Sequence, residues 1–281
     1  MISTEPTQQF AVDGVELAWG RWGDGDGAEL LLCHGYSGTA HDYALQLEAL
    51  SADGPVISLD HRGHGRSTKL GTVDGYSIER IAADLVAFLE ANASGPVHLL
   101  GHSMGGRVAL HVALDRPDLL RSLILQDTSA WSFRSPDEAL CEILDGFFLT
   151  YDPTTGLPDT AGMAGPEDEL IAGTTTEAWQ ARKDELSAGF DPFALLALGR
   201  ELFAIDAPTV RDRLGELAMP VTVIVGSEDH PYVDQAPELV AAVPGAALVV
   251  IDGAFHSPQL THPEAWRAAL AGHLARAGGR G

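Results

Sequence analysis

The sequence predicts an α/β fold, an eight-stranded, mostly parallel, doubly wound sheet that carries a helical insert. Three observations predict it. Short aliphatic runs recur along the chain without the polar alternation of a strand that faces water on one side, so they read as strands buried on both faces. Segments with apolar residues at helical spacing separate these runs. One stretch of about ninety residues, ending before Val221, carries helical patterns but no strand, and is too long to be a simple connection.

Gln9-Phe10-Ala11-Val12 and Val15-Glu16-Leu17-Ala18-Trp19 flank Asp13-Gly14, a two-residue hairpin signal. Strands of parallel type then recur near Leu30, Val56, Val97, Leu123, Val223 and Val249, with amphipathic helices such as Ile78 to Leu89 and Pro263 to Leu274 beside them. A hairpin followed by six strand–helix units gives the eight strands. Residues 1–130 and 218–281 therefore form the sheet-containing core, and residues 131–217 the insert. Within the insert, Glu138 to Phe148, Glu177 to Ala188 and Phe193 to Phe203 have helical patterns, broken by Asp152-Pro153-Thr154-Thr155-Gly156 and Ala164-Gly165-Pro166. Its aromatic residues, Trp131, Phe147, Phe148, Trp179, Phe190 and Phe203 among them, imply a cap with a core of its own and an apolar, water-poor pocket beneath.

The chemistry centres on Gly101-His102-Ser103-Met104-Gly105. The strand Val97 to Leu100 precedes it, and a helix from Arg107 to Leu114 follows. A serine between a strand end and a helix start sits on a sharp, strained turn, and the small neighbours Gly101 and Gly105 leave room for it. The helix N-terminus behind it favours developing negative charge. Such a nucleophile needs a base, and the base an orienting acid, in the chain order serine, acid, histidine. Strand Pro220 to Val225 ends in Gly226-Ser227-Glu228-Asp229, and strand Ala247 to Ile251 is followed by Asp252-Gly253-Ala254-Phe255-His256. Ser103 is thus the expected nucleophile, His256 the general base and then acid, and Asp229 the carboxylate that holds the imidazole. Asp127, after the strand Ser122 to Gln126, is the alternative acid. The N–H of Met104, next after the nucleophile, is an expected oxyanion donor.

His34-Gly35-Tyr36, Asp60-His61-Arg62-Gly63-His64-Gly65-Arg66-Ser67, Gly101 to Gly106, Gly226 to Asp229 and Gly253 to Ser257 together resemble the α/β-hydrolases over nearly the whole chain outside the insert. The resemblance implies that the Tyr36 N–H is the second oxyanion donor, that His34 is structural, and that the Asp60 to Ser67 loop is a turn rather than a metal site. Two histidines three apart lack the further ligands a zinc site needs. Tyr36, His102 and Trp131 are the expected substrate contacts. The implied function is a cofactor-free, metal-free serine hydrolase that cleaves a small ester-like substrate through an acyl-enzyme. Similar capped enzymes cleave carbon–carbon bonds, open lactones or act as lyases in menaquinone synthesis, and some members of the fold are non-catalytic receptors for small ligands. The carbon–carbon enzymes often carry Asn before the serine and Trp after the histidine, where this chain has His102 and Ser257. Dehalogenases and epoxide hydrolases place Asp where Ser103 stands.

The chain carries 40 acidic against 17 basic residues, a net charge of −23, which repels nucleic acid and anionic membranes. No apolar run approaches the ~20 residues of a membrane span. The N-terminus lacks the basic-then-apolar pattern of a secretory signal. Cys33 belongs to a strand and Cys141 to the insert, so no disulfide is expected, and a cytoplasmic protein fits. The expected partner is a small-molecule substrate, with the chain a monomer or homodimer.

Overall fold

A computed structural model of the protein describes residues 4–25, 27–133, 138–158, 164–204 and 208–280. The first residues weighed for a secretory signal, Met1, Ile2 and Ser3, lie outside them. The hairpin opens the sheet: β1 (Gln8–Val12) pairs antiparallel with β2 (Val15–Trp22), with Val12 opposite Val15. Asp13 and Gly14 take φ of 43° and 76°, the left-handed turn whose twist matches that of the strands.

Six strands follow: β3 (Leu30–Cys33), β4 (Val56–Leu59), β5 (Val97–His102), β6 (Leu120–Gln126), β7 (Val221–Gly226) and β8 (Ala247–Ile251). The eight-stranded sheet runs in the order β1-β2-β4-β3-β5-β6-β7-β8. Strands β4, β3, β5, β6, β7 and β8 are mutually parallel. Successive side chains of each buried strand point to opposite faces. Leu31, Leu99, Leu123 and Val223 pack on one side against α2 (Ile78–Asn92), α3 (Met104–Asp115) and α8 (Tyr232–Ala242). Leu32, Leu100, Ile124 and Ile224 pack on the other against α1 (Leu47–Ser51) and α10 (Pro263–Arg276). This double burial is why the inner strands read as unbroken apolar runs; β8, at the sheet edge, reads the same way although Leu248 and Val250 are exposed, which corrects its expected burial on both faces. The short α9 (Pro258–Thr261) leads into α10.

Between β6 and β7 lie α4 (Glu138–Thr150), α5 (Pro166–Thr174), α6 (Glu177–Ala188) and α7 (Pro192–Phe203). Three of these answer to the helical patterns in the sequence. Helix α5 does not: none of its residues is buried, so its sequence carries no apolar stripe.

The order of strands positions the site. The chain leaves β3 for β4 on one side and returns to β5 on the other, so β3 and β5 flank a topological switch point. The loops after their C-terminal ends diverge there and open a crevice. Tyr36 follows one strand and Ser103 the other.

Candidate active site

Ser103 sits between β5 and α3 with φ 53° and ψ −116°, a conformation non-glycine residues seldom adopt. Its N–H donates to the Gln126 carbonyl at 2.9 Å, and its own carbonyl accepts from the Gly106 N–H at 2.9 Å. The flanking glycines are required by packing. A Cβ on Gly105 would lie 2.5 Å from the Cys33 carbonyl oxygen, and one on Gly101 would lie 2.3 Å from that of Gly105. The start of α3 is pressed against the end of β3, and this aims the serine out of the sheet. Met104 opens α3, where N–H groups have no acceptor within the helix.

His256 follows β8, and its Nδ1–H donates to Asp229 Oδ2 at 2.9 Å. That bond leaves the Nε2 lone pair outward. Asp229 follows β7, is buried, and donates its N–H to the Gly226 carbonyl at 3.2 Å. Burial disfavours a charged His256 ring, but the Asp229 carboxylate, its hydrogen bond and the nearby Glu167 more than offset this, so the imidazole is held above its usual pKa. Asp127 makes no bond to His256. Its Oδ1 accepts the Gly226 N–H at 2.9 Å behind Asp229.

Ser103, His256, His102 and Tyr36 share a cavity of about 380 Å³. His102 Nε2–H donates to the His256 carbonyl at 2.8 Å, and the two rings lie 4.8 Å apart. Tyr36 does not offer its hydroxyl, which donates to the Leu195 carbonyl of α7 while Phe148, Phe190 and Phe203 pack edge-on around its ring. Trp131 corrects an expectation: it does not line the cavity. It is 1% exposed, and its indole N–H donates to Gln235 Oε1 at 2.8 Å. A tryptophan just past β6 finds its burial under α8 rather than over the nucleophile.

The cavity is also less apolar than the aromatic content suggested. Among the described residues Trp179 is the one insert aromatic that lines it, alongside Ile171, Asp168, Gln180, Lys183 and Asp184. Lys183 pairs with Asp42 across the opening, and Glu167 accepts the Ser257 N–H. Phe148, Phe190 and Phe203 instead pack around Tyr36. Sequence reasoning missed Tyr232 as well. Its ring stands 5.2 Å from that of His256, and its hydroxyl faces the Ser103 side chain. No local motif marks it; only the turn from Asp229 into α8 brings it there.

His34 donates from Nδ1 to the Gly35 carbonyl and accepts the His61 N–H on Nε2, a neutral tautomer with both nitrogens used. Burial, with His64 close by, drives the His61 pKa down to about 3, and burial drives that of His64 down to about 4. Among the described residues no group of three His, Cys, Asp or Glu side chains could hold a metal ion. Among the same residues no helix is long and apolar enough to cross a membrane.

Comparison with known proteins places the fold. A family model described as alpha/beta hydrolase fold matches residues 29–161. A putative carbamate hydrolase RutD of Pseudomonas savastanoi is 31% identical over 241 residues, covering 85% of this chain and 90% of that protein. A thermophilic esterase from Thermogutta terrifontis is 26% identical with a TM-score of 0.73, covering 96% of this chain and 99% of that one. An enol-lactonase from Burkholderia xenovorans shares the fold at a TM-score of 0.78 and 23% identity, over 95% of this chain and 100% of that one.

Proposed function

Since this chain belongs to the α/β-hydrolase family, we propose that it is a serine hydrolase of small ester-like substrates. The observation that carries this reading is the His256–Asp229 bond at 2.9 Å beside a strained Ser103 in one cavity. With its Nδ1 proton committed to Asp229, His256 presents Nε2 as the base. Ser103 Oγ attacks the carbonyl carbon and passes its proton to Nε2. The N–H groups of Tyr36 and Met104 receive the oxyanion, each worth ~2.7–4 kcal/mol if lost. Collapse expels the alcohol, which takes the proton from Nε2 and leaves an acyl-serine. His256 then deprotonates a water that releases the acid. The helices α4 to α7 act as a cap: α5 and α6 contribute Asp168, Ile171, Trp179 and Lys183 to the cavity wall.

The mixed polar lining favours a short acyl group with hydrogen-bonding capacity over a long alkyl chain. A second reading, a small carbamate, is supported by the name of the RutD relative and by the same lining. It would use the same attack and the same oxyanion donors. The experiment is turnover of p-nitrophenyl esters of increasing chain length by the wild type and by Ser103→Ala. The expected result is release of phenolate, greatest for the short acyl groups, that falls on the order of 10⁴-fold or more in the variant. Equal activity in Ser103→Ala would refute the mechanism. Ammonia release from a simple carbamate, with weak ester turnover, would move the substrate to the second reading.

A further inference from the structure

Asp127 is a buried acid that the mechanism above does not use. It directly follows β6 with φ 45° and is 0% exposed. Its N–H donates to the Ile224 carbonyl at 2.9 Å, and its Oδ1 accepts the Gly226 N–H at 2.9 Å. Gly226 in turn accepts the Asp229 N–H, so one glycine spans the two acids. The remaining oxygen, Oδ2, is buried and receives no hydrogen bond among the described residues. The Asp127 side chain lies against the Asp229 carboxylate. Two buried carboxylate oxygens are both acceptors, and without a proton between them their contact is repulsive.

We propose that Asp127 keeps its proton in the folded protein and donates it from Oδ2 to Asp229, so that it acts as a positioning residue for the carboxylate that orients His256. The pair then carries one negative charge, located on Asp229, and Oδ2 becomes a donor with an acceptor in front of it. This accounts for both side-chain oxygens of Asp127 without a cation. The groups that bear on it are Asp229, the Gly226 N–H and the Gln126 amide, with the Tyr43 and Tyr232 phenols also within its field; none of them is a cation. Burial first, and then the Asp229 charge, hold its pKa well above the usual carboxylate range. His256 lies beyond Asp229, and its ring Nδ1–H donates to that carboxylate.

The inference rests on reading Asp229 as the partner of His256, and its test does not need turnover. The His256 ring titration is followed by NMR in the wild type, Asp127→Asn and Asp127→Ala, with the pH profile of ester kcat/KM measured in parallel. An asparagine amide is neutral and can donate to Asp229, so Asp127→Asn should leave the His256 midpoint within about 0.3 pH unit of wild type. Alanine removes the donor. Asp229 then holds the imidazolium more strongly, and the midpoint should rise by about 0.5 to 1 unit, with kcat/KM down on the order of 10-fold. A midpoint moved by about a unit or more in Asp127→Asn would mean that Asp127 is ionised, and would overturn the proposal. A titration and kcat/KM in Asp127→Ala identical to wild type would overturn it too. Should the alanine variant fail to fold, the asparagine variant decides alone. A wild type that turns over no ester yet titrates as described would sink the esterase reading and leave this one standing.

Discussion

Histidines line both ends of the sheet, and four of those at the C-terminal end lack a partner that those at the N-terminal end have. At the N-terminal ends of β5, β6 and β7, a chain of hydrogen bonds has one consistent assignment. The Gly279 carbonyl can only accept, so His98 Nε2 carries the proton and its Nδ1 accepts from the Ser122 hydroxyl at 2.7 Å. Ser122 then accepts from His273 Nε2–H at 2.7 Å, His273 Nδ1 accepts from Thr222, and Thr222 accepts from Arg276. Every ring nitrogen there is used. At the C-terminal ends, His41 Nδ1, His61 Nε2, His64 Nε2 and His102 Nδ1 are buried without a hydrogen-bond partner among the described residues. Each such atom costs about 1–3 kcal/mol. The cost is concentrated at the end that holds the cavity. One end of this sheet is arranged for stability, while the other gives up stability around Ser103.

The comparison breaks most visibly by mutation at each end. Asp229→Asn should lower ester kcat/KM on the order of 10⁴-fold, because the imidazole loses its tautomer, while urea unfolding changes little. His273→Leu should do the reverse: it strands Ser122 and Thr222, costs about 2–4 kcal/mol in urea, and leaves kcat/KM within about 2-fold. A catalytic defect in the second variant would mean that the two ends are coupled.

Acid sharpens the comparison next. His61, His64 and His102 have folded pKa values pushed down by burial, to about 3, about 4 and about 3. Above their unfolded value near 6.5 they are neutral in both states and cost nothing. As pH falls from there toward 4, the unfolded chain binds protons that the folded one refuses, so stability drops by about 1.4 kcal/mol per pH unit for each such histidine. Unfolding midpoints should fall steeply as the pH drops below 6.5. His64→Phe, whose ring already lies 4.4 Å from that of Phe190, should make that fall shallower. An unchanged slope would show that His64 protonates without cost.

The smallest effects test what Tyr36 and Trp131 do. Tyr36→Phe removes the bond to the Leu195 carbonyl and should cost about 1 kcal/mol of stability, with KM changed at most a few-fold. Trp131→Phe should leave KM within about 2-fold. A large KM effect in either would return the residue to the substrate.

Much of this was legible in the chain. Buried strands announced themselves because both of their faces are covered. The hairpin was legible because few dipeptides accept the φ values of Asp13 and Gly14. Ser103 was legible because only glycine fits at positions 101 and 105. Helix α5 was not, since an exposed helix imposes no period on its sequence. The polar cavity was not either, because an aromatic-rich insert says nothing about which way its rings turn.

From sequence alone came the number and type of strands, the place of the insert, and the three residues at the ends of β5, β7 and β8. Each of these rests on local physics: side-chain period, turn conformation and the space beside a single serine. Only the tertiary structure decided that β4 lies between β2 and β3, that His256 bonds Asp229 rather than Asp127, that Tyr232 stands beside His256 and Ser103, and that Lys183 reaches the cavity. Those choices depend on contacts between residues far apart in the chain. Every buried parallel strand offers its neighbours the same apolar face, and a carboxylate at one strand end looks like a carboxylate at the next until the sheet sets their distances.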